Sequence, residues 1–224
     1  MELLVVIVIV VVLAGLGFMG GKRAIDAAHN AECVSNLRGL ANAGQLYASE
    51  HLAYPNQGRQ MDGSHTWWFE AMEEELGFKP GTSPSIIERA DIMPTCKKCL
   101  KSHPGADPIN DFVRTYSMNE RLLSPAMNGD GQWAYPGLRT SQVKFPSRTA
   151  FFMDGAVAGK QHYWQYLTRR GEWLKPENFI HGDRANVAFI DGHVEALRLE
   201  EVPTNAAHSF WYPQAKDPSA PKHR

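Results

Sequence analysis

The sequence predicts an α+β fold in which a long N-terminal helix packs on an antiparallel β-sheet. Three observations carry this: an unbroken apolar run at residues 3–21, a proline-free stretch with helical spacing reaching about residue 49, and strand-like runs around an Asp-Gly dipeptide in the C-terminal third. A chain of 224 residues has room for one domain plus an appended segment, which excludes two independent enzymatic domains. Lys and Arg total 23 against 24 Asp and Glu, so the positive field that draws a general nucleic-acid binder to its target is missing.

The first element is the apolar run. Residues 3–21 carry no charged or polar side chain and would extend roughly 28 Å as a helix, close to the thickness of a bilayer's hydrocarbon core. A cleaved secretory signal would show a basic start and a shorter apolar stretch. Here Glu2 precedes the run and Lys22-Arg23 follow it, so residues 1–21 are expected to form the transmembrane half of a helix. A carboxylate at the head of a span is costly without a partner. Glu2 either lies at headgroup level or pairs with an N-terminal amine, its own or a neighbour's. Read literally, Lys22 and Arg23 would hold the following domain in the cytoplasm.

The same helix is expected to continue through residues 22–50 as an amphipathic half. Val34, Leu37, Ala41, Gly44 and Ala48 recur at spacings of three and four and form one stripe that needs a surface to lie on. Gly15, Gly17, Gly20 and Gly21 are the weak points, and the Gly20-Gly21 junction is where bending or melting is expected. Cys33 lies on this helix as a packed residue.

A globular domain is expected over residues 51–212. Its middle, rich in Gly, Pro, Asn, Asp and Ser, reads as loops with one short helix over 67–76, where Trp67, Trp68 and Phe69 are packing residues rather than a ligand platform. Cys96-Lys97-Lys98-Cys99 is the one close cysteine pair, and three readings of it stay open: a loop-stapling disulfide or two plain thiols, half of a zinc site with His103, or a redox pair. Residues 145–154 and 162–167 are strand candidates. Asp191-Gly192 fits a two-residue type I′ hairpin turn, which pairs Ile190 with His193 and Phe189 with Val194 and places Val187, Phe189, Val194 and Ala196 on one apolar face. The polar, proline-rich residues 213–224 read as a disordered tail.

No catalytic set emerges: there is no G-x-S-x-G elbow, no phosphate-binding Gly-rich loop and no H-E-x-x-H. His181, Asp183, Asp191 and His193 are conceivable metal ligands. However, Asp191 is accounted for by the turn and His193 by the face opposite Val194, so no metal and no cofactor are assigned.

Glu2 and its apolar run, then Cys33-Val34-Ser35-Asn36-Leu37-Arg38, and Tyr47 before Tyr54-Pro55, resemble the N-terminal region of type IV pilins and type II secretion pseudopilins. At the other end, His181, nine residues, then Asp191-Gly192 resemble the H-X9-DG signature of prepilin-like proteins, and Cys96 with Tyr116-Ser117-Met118-Asn119 resembles a further pair of that family. The resemblance implies a short basic leader before Glu2, where this chain has Met1 alone. With such a leader the N-terminus is cytoplasmic and the domain lies outside the inner membrane.

It further implies a single-pass structural subunit without turnover. Glu2 would be its assembly residue, other pilin-like subunits, identical or different, its partners, and a prepilin peptidase and an assembly platform its processing machinery. The rival reading is a membrane-tethered metal-binding or metal-dependent domain using Cys96, Cys99, His103, His181 and His193.

Overall fold

A computed structural model describes residues 2–56, 58–66, 68–77, 116–154, 179–205 and 208–215, with backbone alone at 2–5, 8, 10–20, 22, 58, 59 and 65. Helix α1 (Glu2–His51) is one element of 50 residues, about 75 Å at 1.5 Å per residue. It runs through Gly20 and Gly21 without interruption, so the expected melting at that junction does not occur. Among the described residues no helix is long and apolar enough to cross a membrane. The apolar run at 3–21 falls almost wholly on positions described by backbone alone, and its transmembrane reading rests on the sequence.

Two small hairpins accompany the main sheet: β1 (Gly58–Arg59) with β2 (His65–Thr66), and β4 (Ala126–Met127) with β5 (Trp133–Ala134). Helix α2 (Trp68–Ala71) is shorter than the helix expected over 67–76, its chain continuing as turns to Gly77. Trp68 and Phe69 are buried, as expected of packing residues, and Trp67 lies outside the described residues.

The main sheet is antiparallel throughout, with β3 (Tyr116–Met118), β6 (Ala150–Asp154), β7 (Arg184–Phe189) and β8 (Val194–Arg198) side by side in that order. The rear half of α1 covers one face. Leu37, Ala41, Gly44 and Ala48 of the expected stripe are buried, Val34 is half-buried, and Cys33 and Leu40 join the stripe. They pack on Phe151, Phe152, Ala188 and Ile190. The opposite face carries Ala150, Met153, Val187, Phe189 and Leu197 and is covered by Val202, Phe210 and Trp211 from the C-terminal segment. The sheet is therefore the middle of three layers. Residues 213–215 belong to the third layer rather than to a disordered tail, since the Pro213 carbonyl accepts from Lys144 and Ala215 is buried.

A β-bulge explains how two consecutive phenylalanines reach the helix. Ala150 pairs with Phe189 and Phe152 with Ala188, so two steps on β6 oppose one on β7 and Phe151 is the extra residue. Both rings then stack against each other at 4.2 Å beneath α1. Each side chain buried in this way stabilises the domain by roughly 1.5–3 kcal/mol. Gly44 is the matching feature on the helix: a Cβ there would lie 2.4 Å from the Phe151 ring.

The register of the hairpin corrects the sequence reading by one residue. Ala188 faces Val194 and Val187 faces Glu195, whereas the expected register pairs Phe189 with Val194. A slip of one turns a strand over. Val194 accordingly packs with Ala188 and Ile190 under the helix, Val187 and Phe189 face the C-terminal layer, and Ala196 is exposed. Of the two remaining expectations, the strand at 162–167 lies outside the described residues, and the one at 145–154 is realised as β6 preceded by a 3-10 turn at Pro146–Arg148.

Candidate functional site

The two ends of β7 hold the two halves of the H-X9-DG signature, and they are built differently. At the first end, Gly182 and Asp183 have φ of 67° and 60°, and the His181 amide donates to the Arg184 carbonyl at 2.9 Å. Two consecutive left-handed residues make this a tight turn leading into β7. At the second end, Gly192 has φ of 93° while Asp191 is not left-handed, and the Gly192 and Phe189 amides donate to the Phe189 and His193 carbonyls, both at 2.9 Å. This is a three-residue loop closed by a left-handed glycine, which accounts for the one-residue register difference.

Asp191 shapes that loop through its side chain. Its Oδ1 accepts from the His193 amide at 3.2 Å and contacts His193 Nδ1. The His193 ring stacks on Phe189 with centroids 4.3 Å apart. Helix α1 reads the loop from above, where Gln45 Nε2 donates to the Ile190 carbonyl at 2.7 Å. A Cβ on Gly192 would come within 3.1 Å of the same Gln45 nitrogen, so glycine serves both the backbone angle and the approach of the helix.

The side chain of His181, at the head of the turn through Gly182 and Asp183, is buried. Its Nε2 lies 2.9 Å from Asp154 Oδ2, with the two side chains 1% and 0% exposed. Asp154 closes the apolar strand β6, and its carboxylate is held further by Asn186, whose backbone amide donates to Oδ1 at 2.7 Å and whose Nδ2 donates to Oδ2 at 2.8 Å. The same Asn186 Nδ2 reaches Asn30 Oδ1 on α1 at 3.0 Å. One turn along the helix, the Cys33 carbonyl accepts from the Tyr116 hydroxyl at 3.4 Å. A polar chain thus crosses the helix–sheet junction from β7 through Asp154 and Asn186 to α1, where an uncompensated polar group would be costly.

The Tyr-x-x-Asn motif has its second half at another junction. Asn119 Nδ2 donates to the Ala150 carbonyl at 2.9 Å and the Trp211 carbonyl at 3.0 Å, and its Oδ1 accepts from the Arg121 amide at 3.0 Å. Tyr116 and Asn119 therefore tie the edge strand to the helix on one side and to the C-terminal layer on the other.

No protein family matches the chain, and no curated protein or solved structure is similar to it. The site stands on its own geometry.

A ring nitrogen of His181, an Asp154 oxygen and the Cys33 sulfur lie within 4.8 Å of one another, all three residues buried. Cys33 is disulfide-bonded, which corrects its reading as a packed thiol and leaves no thiolate to coordinate a metal. The other two cysteines, Cys96 and Cys99, lie outside the described residues, and a bond from Cys33 to either one precludes the bond between them. His103 lies outside them as well. His181 and His193 flank opposite ends of the six-residue strand β7, about 20 Å apart along the strand, so they do not serve one ion. Glu2 opens α1 as its first residue.

Sequence reasoning singled out His181, Asp191 and Gly192 but missed Asp154, Asn186 and Asn30. A carboxylate closing the apolar run Ala150–Asp154 was the available signal, because such a group inside a sheet needs a buried partner.

Proposed function

We propose that the chain is a pilin-like structural subunit of a type II secretion or type IV pilus-like system, anchored once in the inner membrane with its domain on the outer side. The observation that carries this reading is the asymmetry of α1. Its rear half packs into the core of the domain, while in its front half the described apolar side chains Val6, Ile7 and Ile9 are 52–57% exposed. Apolar side chains this exposed on one helix are favoured where lipid or other helices surround them.

In this reading the front half is both anchor and assembly surface, and Glu2 neutralises the terminal amine of an adjacent identical or related subunit. A prepilin peptidase removes the leader, an assembly platform incorporates the subunit, and neither nucleic acid nor a catalytic reaction is involved. The network at His181 supports the same reading, since side chains as deeply buried as those of His181 and Asp154 suit a positioning role. The test is Glu2→Ala in the full chain expressed in membranes beside a wild-type control. Oligomer or filament incorporation is expected to fall at least tenfold while the domain's melting temperature is unchanged; undiminished incorporation would contradict the proposal.

A further inference from the structure

The C-terminal end of α1 carries an arrangement that neither the fold nor the assembly reading uses. Glu50 and His51 form its last turn, and Glu75 follows in the turns after α2; a carboxylate oxygen from each glutamate and a ring nitrogen of His51 lie within 4.8 Å of one another. Among the described residues no hydrogen bond or ion pair joins the three, and neither glutamate has a cationic partner.

Two features of the group are unfavourable as they stand. Glu75 Oε2 is buried and accepts no hydrogen bond among the described residues, although a carboxylate oxygen removed from water ordinarily has a donor. The two carboxylates also collect at the negative pole of a long helix, where the backbone carbonyls repel them. The environment is fixed rather than loose: the His51 ring stacks on Tyr47 with centroids 4.1 Å apart. Burial, and then the charge of the Glu75 carboxylate, push the Tyr47 phenol above its ordinary value.

We infer that Glu50, His51 and Glu75 bind one divalent transition-metal ion of the zinc class, which pins the end of α1 to the turn after α2. A single cation would supply the partner that Glu75 Oε2 lacks and offset both carboxylates at the helix terminus. The imidazole in the set selects a transition metal over calcium or magnesium, which take oxygen ligands. Glu50 and His51 are exposed, so the ion exchanges with solvent and water completes its coordination. This site is independent of the assembly reading and survives its failure.

The test uses the full chain in detergent, stripped with a chelator and titrated with zinc chloride by calorimetry. One ion per chain and a raised melting temperature are expected, with His51→Ala and Glu75→Gln each weakening binding at least tenfold and His193→Ala leaving it unchanged. In the metal-free state Glu75→Gln is expected to melt no lower than wild type, because it removes an uncompensated charge. Cobalt substitution is expected to give visible bands without the intense near-ultraviolet charge-transfer band of a sulfur ligand. Absence of saturable binding overturns the inference, as does binding that persists in both variants or is abolished by His193→Ala, or a sulfur band in the cobalt protein.

Discussion

The two halves of α1 are continuous in backbone and opposite in circumstance. Behind about residue 30 each turn has a partner: Asn30 meets Asn186, the Cys33 carbonyl meets Tyr116, Gly44 admits the Phe151 ring and Gln45 holds the Ile190 carbonyl. Ahead of it, Ile25 is 56% exposed and the described side chains of Val6, Ile7 and Ile9 are equally uncovered. Helical periodicity alone does not separate the halves. The difference lies in whether the sheet supplies a complementary surface, and it does so only as far as β6 and β7 extend.

The largest effect is expected where the rear half meets the buried carboxylate. Asp154→Ala leaves the His181 ring and two Asn186 donors without their acceptor and is expected to destabilise the domain by about 3–5 kcal/mol. Denaturant unfolding measures it, and a loss under ~1 kcal/mol would mean the network does not anchor the helix. Cys33→Ser, which opens the disulfide on the same helix face, is expected to cost about 2–4 kcal/mol by the same assay.

Glycines on the same helix sharpen the contrast. Gly44→Ala drives a methyl into the Phe151 ring, itself stacked on Phe152, and is expected to destabilise by about 1–3 kcal/mol. Gly21→Ala meets nothing within 4 Å and is expected to raise helix stability by up to ~1 kcal/mol. Thermal melts of the two variants should move in opposite directions; a common direction would erase the distinction between the halves.

The smallest effect is one of pH. Burial pushes the Tyr54 phenol up to about 12, against an unfolded value of about 10. Above about pH 10 the unfolded chain releases this proton while the folded chain retains it, so stability falls as pH rises from there to the folded value. Unfolding titrations at successive alkaline pH values should show a shallower decline in Tyr54→Phe than in wild type.

The helix and the antiparallel sheet were legible in the sequence because each rests on local pattern: the spacing of Leu37, Ala41, Gly44 and Ala48, the strand-like run of β7 and the turn residues Asp191-Gly192 at its end. His181 was singled out as a site residue by the family resemblance alone, and its buried partner was not foreseen. What was not legible depends on choices between equivalent local solutions. Asp191-Gly192 suits a two-residue or a three-residue loop equally, and only the fit of Gln45 and the sheet over Ile190 selects the latter. The extra residue at Phe151 obeys no pattern in its own strand and is defined by its partner. Asp154 and Cys33 find their partners far along the chain, across a separation that periodicity does not register.

The central claim is that the front half of α1 is an assembly surface and the rear half an internal one. It is tested most directly by placing a photo-crosslinking residue at Ile7 or at Ala43 in the full chain, in membranes that contain its partner subunits. The account predicts adducts between chains from position 7, lost when Glu2 is replaced by alanine, and none between chains from buried position 43. Intermolecular adducts from position 43, or no protein adduct from position 7, would contradict it.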